Sequence, residues 1–301
     1  MIYKTREKSN ELRLLESLNT RMILPEKEMQ HFLNLKRGYE GEVLFDSWTE
    51  KLQSDCYILN DLLFKANNTY FQIDSLIITA VKIYVFEVKN FEGNDYFEGD
   101  HFYKIPQYEL TNPLHQLGRS RSLLKQLFLK HNIHLPIEAS VIFVNPEFSL
   151  YQAPLHQPII LPTQVKKHMR KLNALPGKLH EKHKQMANKL ISFHHEKYPN
   201  KELPSYSYDD LQRGVPCLEC DSILTKAEGI KLLCQNCGHK ETLAAAVLRA
   251  VEEFKVLFPE KCITVSGIRE WCQIGASHKR IKFILEKNYK KVGEKRWTHY
   301  E

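Results

Sequence analysis

The sequence predicts an α/β fold, followed by a cysteine-rich module and a C-terminal helical segment. Three observations support this prediction. Helical and strand patterns alternate between residues 38 and 144. Two Cys-x-x-Cys pairs follow, beginning at Cys217 and Cys234. Beyond them, two helical patterns flank a short stretch that contains Gly275.

Composition is typical of a globular protein. The chain has 301 residues, enough for about two domains, with 43% hydrophobic and 26% charged residues. These values exclude a disordered chain, and no apolar run is long enough for a membrane span. The charged N-terminus lacks the pattern of a secretory signal, so we expect a cytoplasmic protein that does not associate with membranes. A net charge of +7 is compatible with a polyanionic partner but does not establish one.

The pattern divides the chain into five segments. A Ser/Tyr/Asp-rich stretch after Pro204 is typical of a linker. We predict an N-terminal helical extension (1–35), an α/β domain (36–150), a basic helical extension (151–203), a cysteine module (208–240) and a C-terminal helical domain (241–301).

A β-hairpin is predicted for residues 70–89, with strands at 70–78 and 83–89. If the four residues between the strands form the loop, Ile78 faces Ile83, and paired residue numbers sum to 161. Asp74 then faces Glu87. Lys89 lies two residues beyond Glu87 and therefore projects to the same face. Three charged groups converge at the end of an otherwise apolar hairpin.

Asp74 and Glu87 repel one another and would weaken the hairpin unless a cation lies between them. Oxygen ligands favour Mg²⁺ or Mn²⁺, which polarises a phosphodiester and lowers the pKa of bound water. Lys89 would orient that water or stabilise developing charge. The alternative is a pair of solvated carboxylates at a strand end with Lys89 as an ion-pair partner. The apolar run before Glu87 argues against it, because an isolated buried carboxylate is costly.

Asp74 and the sequence Glu87-Val88-Lys89 resemble the catalytic motif of the restriction-endonuclease-like PD-(D/E)xK superfamily. More narrowly, the chain resembles the nuclease-related domain, NERD, over residues 36 to 145. That resemblance implies a central mixed sheet flanked by helices, and it adds Glu42 and Gln116 to the site. Lys82 replaces the glycine that usually precedes the second strand. The matching stretches, in order, are Gly38-Tyr39-Glu40-Gly41-Glu42, Ile73-Asp74 with Glu87-Val88-Lys89-Asn90, and Asn112-Pro113-Leu114-His115-Gln116.

Glu42 and Gln116 each have a second interpretation from the pattern alone. Glu42 is predicted near the start of a helix, where the dipole favours a carboxylate. Asn112 can cap the next helix and Pro113 can occupy its first position, so Gln116 could be an ordinary residue of the first turns.

Cys217, Cys220, Cys234 and Cys237 have the spacing of a four-thiolate Zn²⁺ site, and four sulfurs close the coordination shell of a structural ion. Short strands at 222–224 and 231–233 would complete a zinc ribbon. His239 is an alternative ligand, although we expect it to be exposed. The remaining cysteines have apolar neighbours and are interpreted as small buried hydrophobes, namely Cys56, Cys262 and Cys272.

The C-terminal segment predicts a helix at 241–257, then a helix-turn-helix with its second helix at 277–287, and a wing-like hairpin. Basic residues concentrate there as nucleic-acid contacts would. A helical domain with a solvated basic face is the alternative, and the basic run from Gln164 to Lys197 is interpreted as solvated. The predicted contacts are Lys279, Arg280, Lys282, Lys290, Lys291 and Arg296.

Together these features predict a Mg²⁺- or Mn²⁺-dependent nuclease, with DNA favoured over RNA as the substrate. The predicted catalytic residues are Glu42, Asp74, Glu87, Lys89 and Gln116. The alternative is a nucleic-acid-binding or regulatory protein on a nuclease-like fold, and the intact Asp74, Glu87 and Lys89 argue against it. A protein partner or a homo-oligomer is left open.

Overall fold

The computed structural model describes residues 1–196 and 204–301, and it divides the chain into two compact units. Met1–Glu7 and Asn34–Lys201 form the first, which we name the sheet unit. Lys8–Leu33 and Glu202–Glu301 form the second, which we name the ribbon unit.

The elements up to residue 192 form the sheet unit, except that α1 and the first residues of α2 belong to the ribbon unit. In chain order they are β1 (Ile2–Lys4), α1 (Asn10–Arg21), α2 (Glu26–Thr49), β2 (Tyr57–Ala66), β3 (Thr69–Ile78), β4 (Ile83–Lys89), β5 (Gly93–Glu98), β6 (His101–Lys104), β7 (Tyr108–Leu110), α3 (Pro113–Lys130), β8 (Ile137–Phe143), β9 (Phe148–Tyr151), β10 (Ile159–Ile160), α4 (Pro162–Asn173) and α5 (Glu181–Ser192).

The main sheet has six strands in the order β1-β2-β3-β4-β8-β10. β2, β3 and β4 are antiparallel neighbours, whereas β1 is parallel to β2, and β8 is parallel to both β4 and β10. A second sheet has the order β7-β6-β5-β9. The predicted mixed sheet is therefore confirmed, and β4 lies inside it.

Helices cover both faces of the main sheet. Leu117 and Leu124 of α3 and Leu190 of α5 pack in one apolar cluster, whereas Phe45 of α2 and Leu172 of α4 pack in another. Side chains alternate along β4, with Ile83 and Val85 in the first cluster and Tyr84, Phe86 and Val88 in the second. Glu87 and Lys89 therefore share the α3 face.

The N-terminal elements differ from the prediction. The boundary predicted after residue 35 falls inside α2, which begins at Glu26, and β1 adds a strand to the main sheet.

The basic run predicted from Gln164 to Lys197 consists of α4 and α5, separated by an irregular stretch that contains Pro176 and Gly177. Lys197 lies outside the described residues.

The remaining elements belong to the ribbon unit, where α1 packs against α6. They are β11 (Thr225–Glu228), β12 (Lys231–Cys234), β13 (Lys240–Thr242), α6 (Leu243–Leu257), α7 (Val265–Cys272), α8 (His278–Asn288), β14 (Lys291–Val292) and β15 (His299–Tyr300).

Two predictions for this unit were wrong in detail. The strand expected at 222–224 begins at Thr225, because the chain from Cys217 to Ser222 closes a turn in which Cys217 N–H donates to the Ser222 carbonyl at 3.0 Å. Cys262 is exposed, whereas Cys56 and Cys272 are buried as expected.

Among the described helices, none is long and apolar enough to cross a bilayer.

Candidate functional site

The β3–β4 hairpin has the predicted register. Ile78 pairs with Ile83, and successive pairs continue outward to Ser75 with Phe86. Thr79 N–H donates to the Lys82 carbonyl at 3.0 Å, and the Thr79 hydroxyl donates to the same oxygen at 2.7 Å. These bonds close the loop without a glycine. Asp74 and Glu87 occupy the next position beyond the paired residues.

Asp74 lies at an irregularity shared by two strands. In β3, Ile73 and Leu76 belong to the same apolar cluster although they are three residues apart, so the alternation shifts by one residue between them. Asp61, with a φ of 54°, lies at the same level of β2, between the pairs that Asn60 and Leu62 form with β3. The Asp74 carboxylate, 7% exposed, accepts a hydrogen bond from Val88 N–H at 2.8 Å.

Lys89 joins the hairpin to α3. Its Nζ donates to Glu87 Oε1 at 2.8 Å and to Gln116 Oε1 at 2.9 Å. Asn112 caps α3 through a 2.8 Å bond from Leu114 N–H, and Pro113 begins the helix as predicted. The cap fixes the first turns of α3, and with them the position of Gln116.

Glu42 reaches the site from α2, which packs on the opposite sheet face from α3. The preceding Gly41 permits this approach, because a Cβ there would overlap the Asn90 side chain. Asn90 Nδ2 also donates to the Arg37 carbonyl at 2.8 Å. Glu42 was expected near a helix start, but it is in the interior of a helix that begins at Glu26, so the N-terminal dipole does not account for it.

Arg6 is a site residue that the sequence did not predict. Its guanidinium donates to Glu42 Oε2 at 2.6 Å, to Asp46 Oδ2 at 2.9 Å and to the Asp74 carbonyl at 2.7 Å. A lone arginine in a charged N-terminal stretch carries no motif, so only the fold reveals its proximity to these groups.

Burial raises the pKa values of the site carboxylates. Glu42 has a pKa of about 8, because burial and the charge of Asp74 outweigh the stabilisation by Arg6. The pKa of Glu87 is about 7, because burial and Asp74 outweigh Lys89. Burial also raises the pKa of Asp74 despite Lys89 and the Val88 N–H. The cations within the protein therefore do not fully stabilise these carboxylates.

Charge balance favours a divalent cation. Among the described residues, four carboxylates of this group interact with two cationic side chains, which leaves a formal excess of two negative charges. Asp61 and Lys4 lie at the edge of this group, and their opposite charges offset one another. Carboxylate oxygens are the ligand type that hard divalent cations prefer, although in the described part of the chain these carboxylates do not form a group of three ligand atoms as compact as the cysteine cluster. The four acids are Glu42, Asp46, Asp74 and Glu87, and the two cations are Arg6 and Lys89.

The four paired cysteines form the second candidate metal site. Cys217 Sγ lies 3.6 Å from Cys237 Sγ, Cys220 Sγ lies 3.7 Å from Cys234 Sγ, and all four sulfurs are within 4.8 Å of one another. A tetrahedral Zn²⁺ site with bonds of about 2.3 Å requires sulfurs about 3.8 Å apart. The cluster is therefore compatible with a structural zinc ion. His239 is not part of it.

Backbone N–H groups lower the pKa values of these thiols, whereas the neighbouring thiols raise the pKa of Cys237. The Cys237 N–H lowers the pKa of Cys234 to about 6. The pKa of Cys237 rises to about 12, because the other thiols outweigh the His239 N–H. The neighbouring thiols thus disfavour ionisation at Cys237, whereas Zn²⁺ binding requires deprotonated thiols.

The predicted nucleic-acid contacts lie on or after α8. Ile281, Ile284 and Leu285 form its buried face, and Phe283 is 67% exposed on the opposite face. β14 and β15 form the predicted antiparallel hairpin. The side chain of Arg296 lies outside the described residues. The other predicted contacts are all exposed, namely Lys279, Arg280, Lys282, Lys290 and Lys291.

Comparison with known families identifies the sheet unit's central segment. Residues 37–144 match the nuclease-related domain, NERD. The match agrees within one residue at each end with the resemblance seen in the sequence, and it contains all five predicted catalytic residues. It implies a nucleic-acid partner for the NERD segment. No curated protein and no solved structure matches the chain significantly.

Proposed function

We propose that the NERD segment hydrolyses phosphodiester bonds of nucleic acid in a reaction that depends on Mg²⁺ or Mn²⁺. The observation that carries this proposal is a buried group of carboxyl side chains that outnumber their cationic partners and have raised pKa values, beside Lys89. Structural ion pairs are normally balanced, because uncompensated buried charge is costly. An excess at Asp74 and Glu87, next to the Lys89 ammonium, is the arrangement expected of a site that binds a cation and an anionic substrate.

Asp74 and Glu87 would hold the divalent cation. Asp74 Oδ2 is fixed by Val88 N–H, and Glu87 Oε1 by Lys89, which orients both carboxylates before any ligand binds. A bound cation of this kind polarises a phosphoryl oxygen and increases the acidity of coordinated water. Glu42 and Gln116 would support the site from the two flanking helices.

Lys89 would act as a cation and hydrogen-bond donor. Burial alone lowers its pKa, but Glu87 and Asp74 together raise it above the ordinary value. The ammonium therefore stays charged at neutral pH, which makes it a poor base. In this role it positions the attacking water or stabilises charge that develops on the phosphate.

The ribbon unit would supply a surface for nucleic acid. Lys279 and Lys287 lie one helical turn before and after the exposed Phe283 on α8, so the outer face of this helix combines cations with an aromatic ring. Phosphates bind lysine and arginine, and apolar side chains contact bases or sugars. We infer that α8 binds nucleic acid, preferably DNA, and that a structural Zn²⁺ stabilises the adjacent ribbon.

Cleavage assays test the catalytic proposal. Single- and double-stranded DNA and RNA are incubated with the purified protein and Mg²⁺, Mn²⁺ or EDTA, alongside Glu87→Ala and Lys89→Ala. Metal-dependent cleavage that both variants lose would support the proposal and identify the substrate. Lys125→Ala, an exposed lysine on α3, is the matched control and should cleave normally. Metal and nucleic-acid binding without cleavage would instead favour a non-catalytic binding protein.

Salt dependence tests the α8 surface. Replacing Lys279 by alanine should weaken nucleic-acid binding across sequences and reduce the slope of log K against log salt by about 1. Lys255→Ala is the control, because Lys255 is paired with Glu252 on α6 at 2.9 Å. Equal salt slopes in the two variants would argue against a phosphate contact at α8.

A further inference from the structure

Arg6 is a buried arginine that lies outside the segment matched to NERD. It follows β1 in a stretch with no regular secondary structure, and its side chain is only 3% exposed. Burial of a guanidinium is costly unless each donor is satisfied. Here Nε, Nη1 and Nη2 all donate hydrogen bonds, and two of the three acceptor residues belong to the predicted catalytic set.

The contacts of Arg6 fix its orientation completely. Arg6 binds Asp46 as a bidentate fork, in which Nε donates to Oδ2 at 2.9 Å and Nη2 donates to Oδ1 at 3.2 Å. This fork sets the plane of the guanidinium. Nη1 then donates to Glu42 Oε2 at 2.6 Å, and Nη2 to the Asp74 carbonyl at 2.7 Å. One rigid group thus connects α2, which carries Glu42 and Asp46, to β3 at the irregularity where Asp74 lies.

We propose that Arg6 is a positioning residue for the cation site, an inference that rests on the hydrolytic function proposed above. Through the Glu42 carboxylate and the Asp74 backbone, it sets the spacing between the α2 and β3 sides of the site. A lysine has the same charge, but its single ammonium cannot reproduce the planar fork and both further contacts. The N-terminal stretch is therefore part of the active unit, although the NERD match begins at residue 37.

A purely electrostatic role predicts the opposite response to substitution. If Arg6 only supplied positive charge, Arg6→Lys would preserve activity. Loss of that charge would make the site more negative and strengthen cation binding. Positioning instead predicts that Arg6→Lys is defective despite its retained charge, and that most of the defect acts through Glu42, the predicted catalytic residue whose side chain Arg6 contacts. A double-mutant cycle separates the two mechanisms.

The experiment compares the full-length protein with Arg6→Lys, Glu42→Gln and the double variant, using metal-dependent cleavage well below each melting temperature. Arg6→Lys should lower kcat roughly 10- to 100-fold with little change in KM for nucleic acid. In the Glu42→Gln background, Arg6→Lys should cause little further loss. Lys8→Met, which breaks the Lys8–Glu16 ion pair, is the control and should retain full kcat. Unchanged kcat in Arg6→Lys, or losses that multiply in the double variant, would overturn the proposal.

Binding of Mn²⁺ by calorimetry gives a second readout. If the wild-type protein cleaves no substrate, the hydrolytic function fails, but Arg6→Lys should still weaken Mn²⁺ binding roughly 10-fold or more. Unchanged affinity would then overturn the positioning role as well. If Arg6→Lys does not fold, Asp46→Asn replaces it, since it weakens the fork and leaves the Arg6 charge in place. The same loss, of smaller size, is expected, and no loss overturns the proposal.

Discussion

Each unit contains a buried arginine from the N-terminal region, but the two arginines have different surroundings. In the ribbon unit, Arg21 donates to both Glu253 oxygens, at 2.9 and 2.5 Å, and to the carbonyls of Gln212 and Gly214. Its guanidinium also lies 3.9 Å from the centroid of the Trp271 ring. One cation thus meets one carboxylate, neutral acceptors and an aromatic face.

In the sheet unit, Arg6 and Lys89 face a larger number of carboxylates, and burial raises the pKa values of Glu42, Asp74 and Glu87. The formal charges balance in the group around Arg21, which we name the closed group. In the group around Arg6 and Lys89, carboxylates outnumber cations, and we name it the open group. Removing either partner of a closed group is expected to destabilise the protein, because the other charge is left buried alone. An open group is expected to cost stability and to bind a ligand of opposite charge. Removing a carboxylate charge should therefore lower the free energy of unfolding in the closed group and raise it in the open group.

The largest effect is expected at the cysteine cluster. Cys220→Ser should release zinc, because structural sites contribute roughly 10 kcal/mol or more to folding and need every thiolate. Elemental analysis should find one zinc ion per wild-type chain and little in the variant, and hydrogen exchange should show that β11–β13 lose protection. Cys262→Ser, outside the cluster, is the control and should keep its zinc. Equal zinc content in both variants would mean that the cysteines do not form the site.

The next effect concerns the closed group. Glu253→Gln should lower the free energy of unfolding by about 3 kcal/mol, because the Arg21 charge remains buried without its partner. Urea denaturation measures this change. The Lys255–Glu252 pair offers a comparison, because Glu252 is exposed and glutamine there can still accept the hydrogen bond from Tyr289, so Glu252→Gln should change stability by less than about 1 kcal/mol. Similar losses in both variants would show that burial of the Arg21 pair adds nothing.

The open group should respond in the opposite direction. A raised pKa means that ionised Glu87 is less stable in the folded than in the unfolded protein, so this contribution to stability falls as pH rises from 4.5 towards 7. Glu87→Gln removes the charge, and at pH 8 without added Mg²⁺ or Mn²⁺ it should raise the free energy of unfolding by about 1–3 kcal/mol. Metal-dependent cleavage should be lost at the same time. Destabilisation by this variant, measured by thermal melting, would show that the group is balanced as it stands.

Local patterns predicted much of the hairpin and the cysteine site. Alternating apolar residues and a four-residue loop fixed the β3–β4 register, because a shift of one residue would exchange the two faces. Cysteine spacing predicted the cluster, because two short turns bring four sulfurs together whatever the rest of the fold. Both predictions depend on residues close in sequence.

Long-range contacts were not predictable in this way. Arg6 lies 36 residues from Glu42 and 68 from Asp74, and no periodicity links them. Glu42 was placed near a helix start because the helical pattern was taken to begin at Gly38, but α2 begins at Glu26 and continues through Gly38 and Gly41, although glycine is a poor helix former. Packing against the sheet overrides this weak local preference, so the helix bounds and the charge balance of the site required the tertiary structure.

The smallest effects are expected at Gly38 and Gly41, the two glycines of α2. A Cβ at Gly41 would overlap the Asn90 side chain beside Lys89, whereas a Cβ at Gly38 meets nothing within 4 Å. Gly41→Ala should therefore cost about 1–2 kcal/mol through overpacking and displace Glu42 from the site, lowering kcat. Gly38→Ala should stabilise the protein by roughly 0.5–1 kcal/mol, because alanine is the better helix former. Both values follow from urea denaturation. If Gly41→Ala were as stable and as active as Gly38→Ala, the close approach of α2 to β4 would not hold Glu42 in place, and the open charge group would have to be maintained by Arg6 alone.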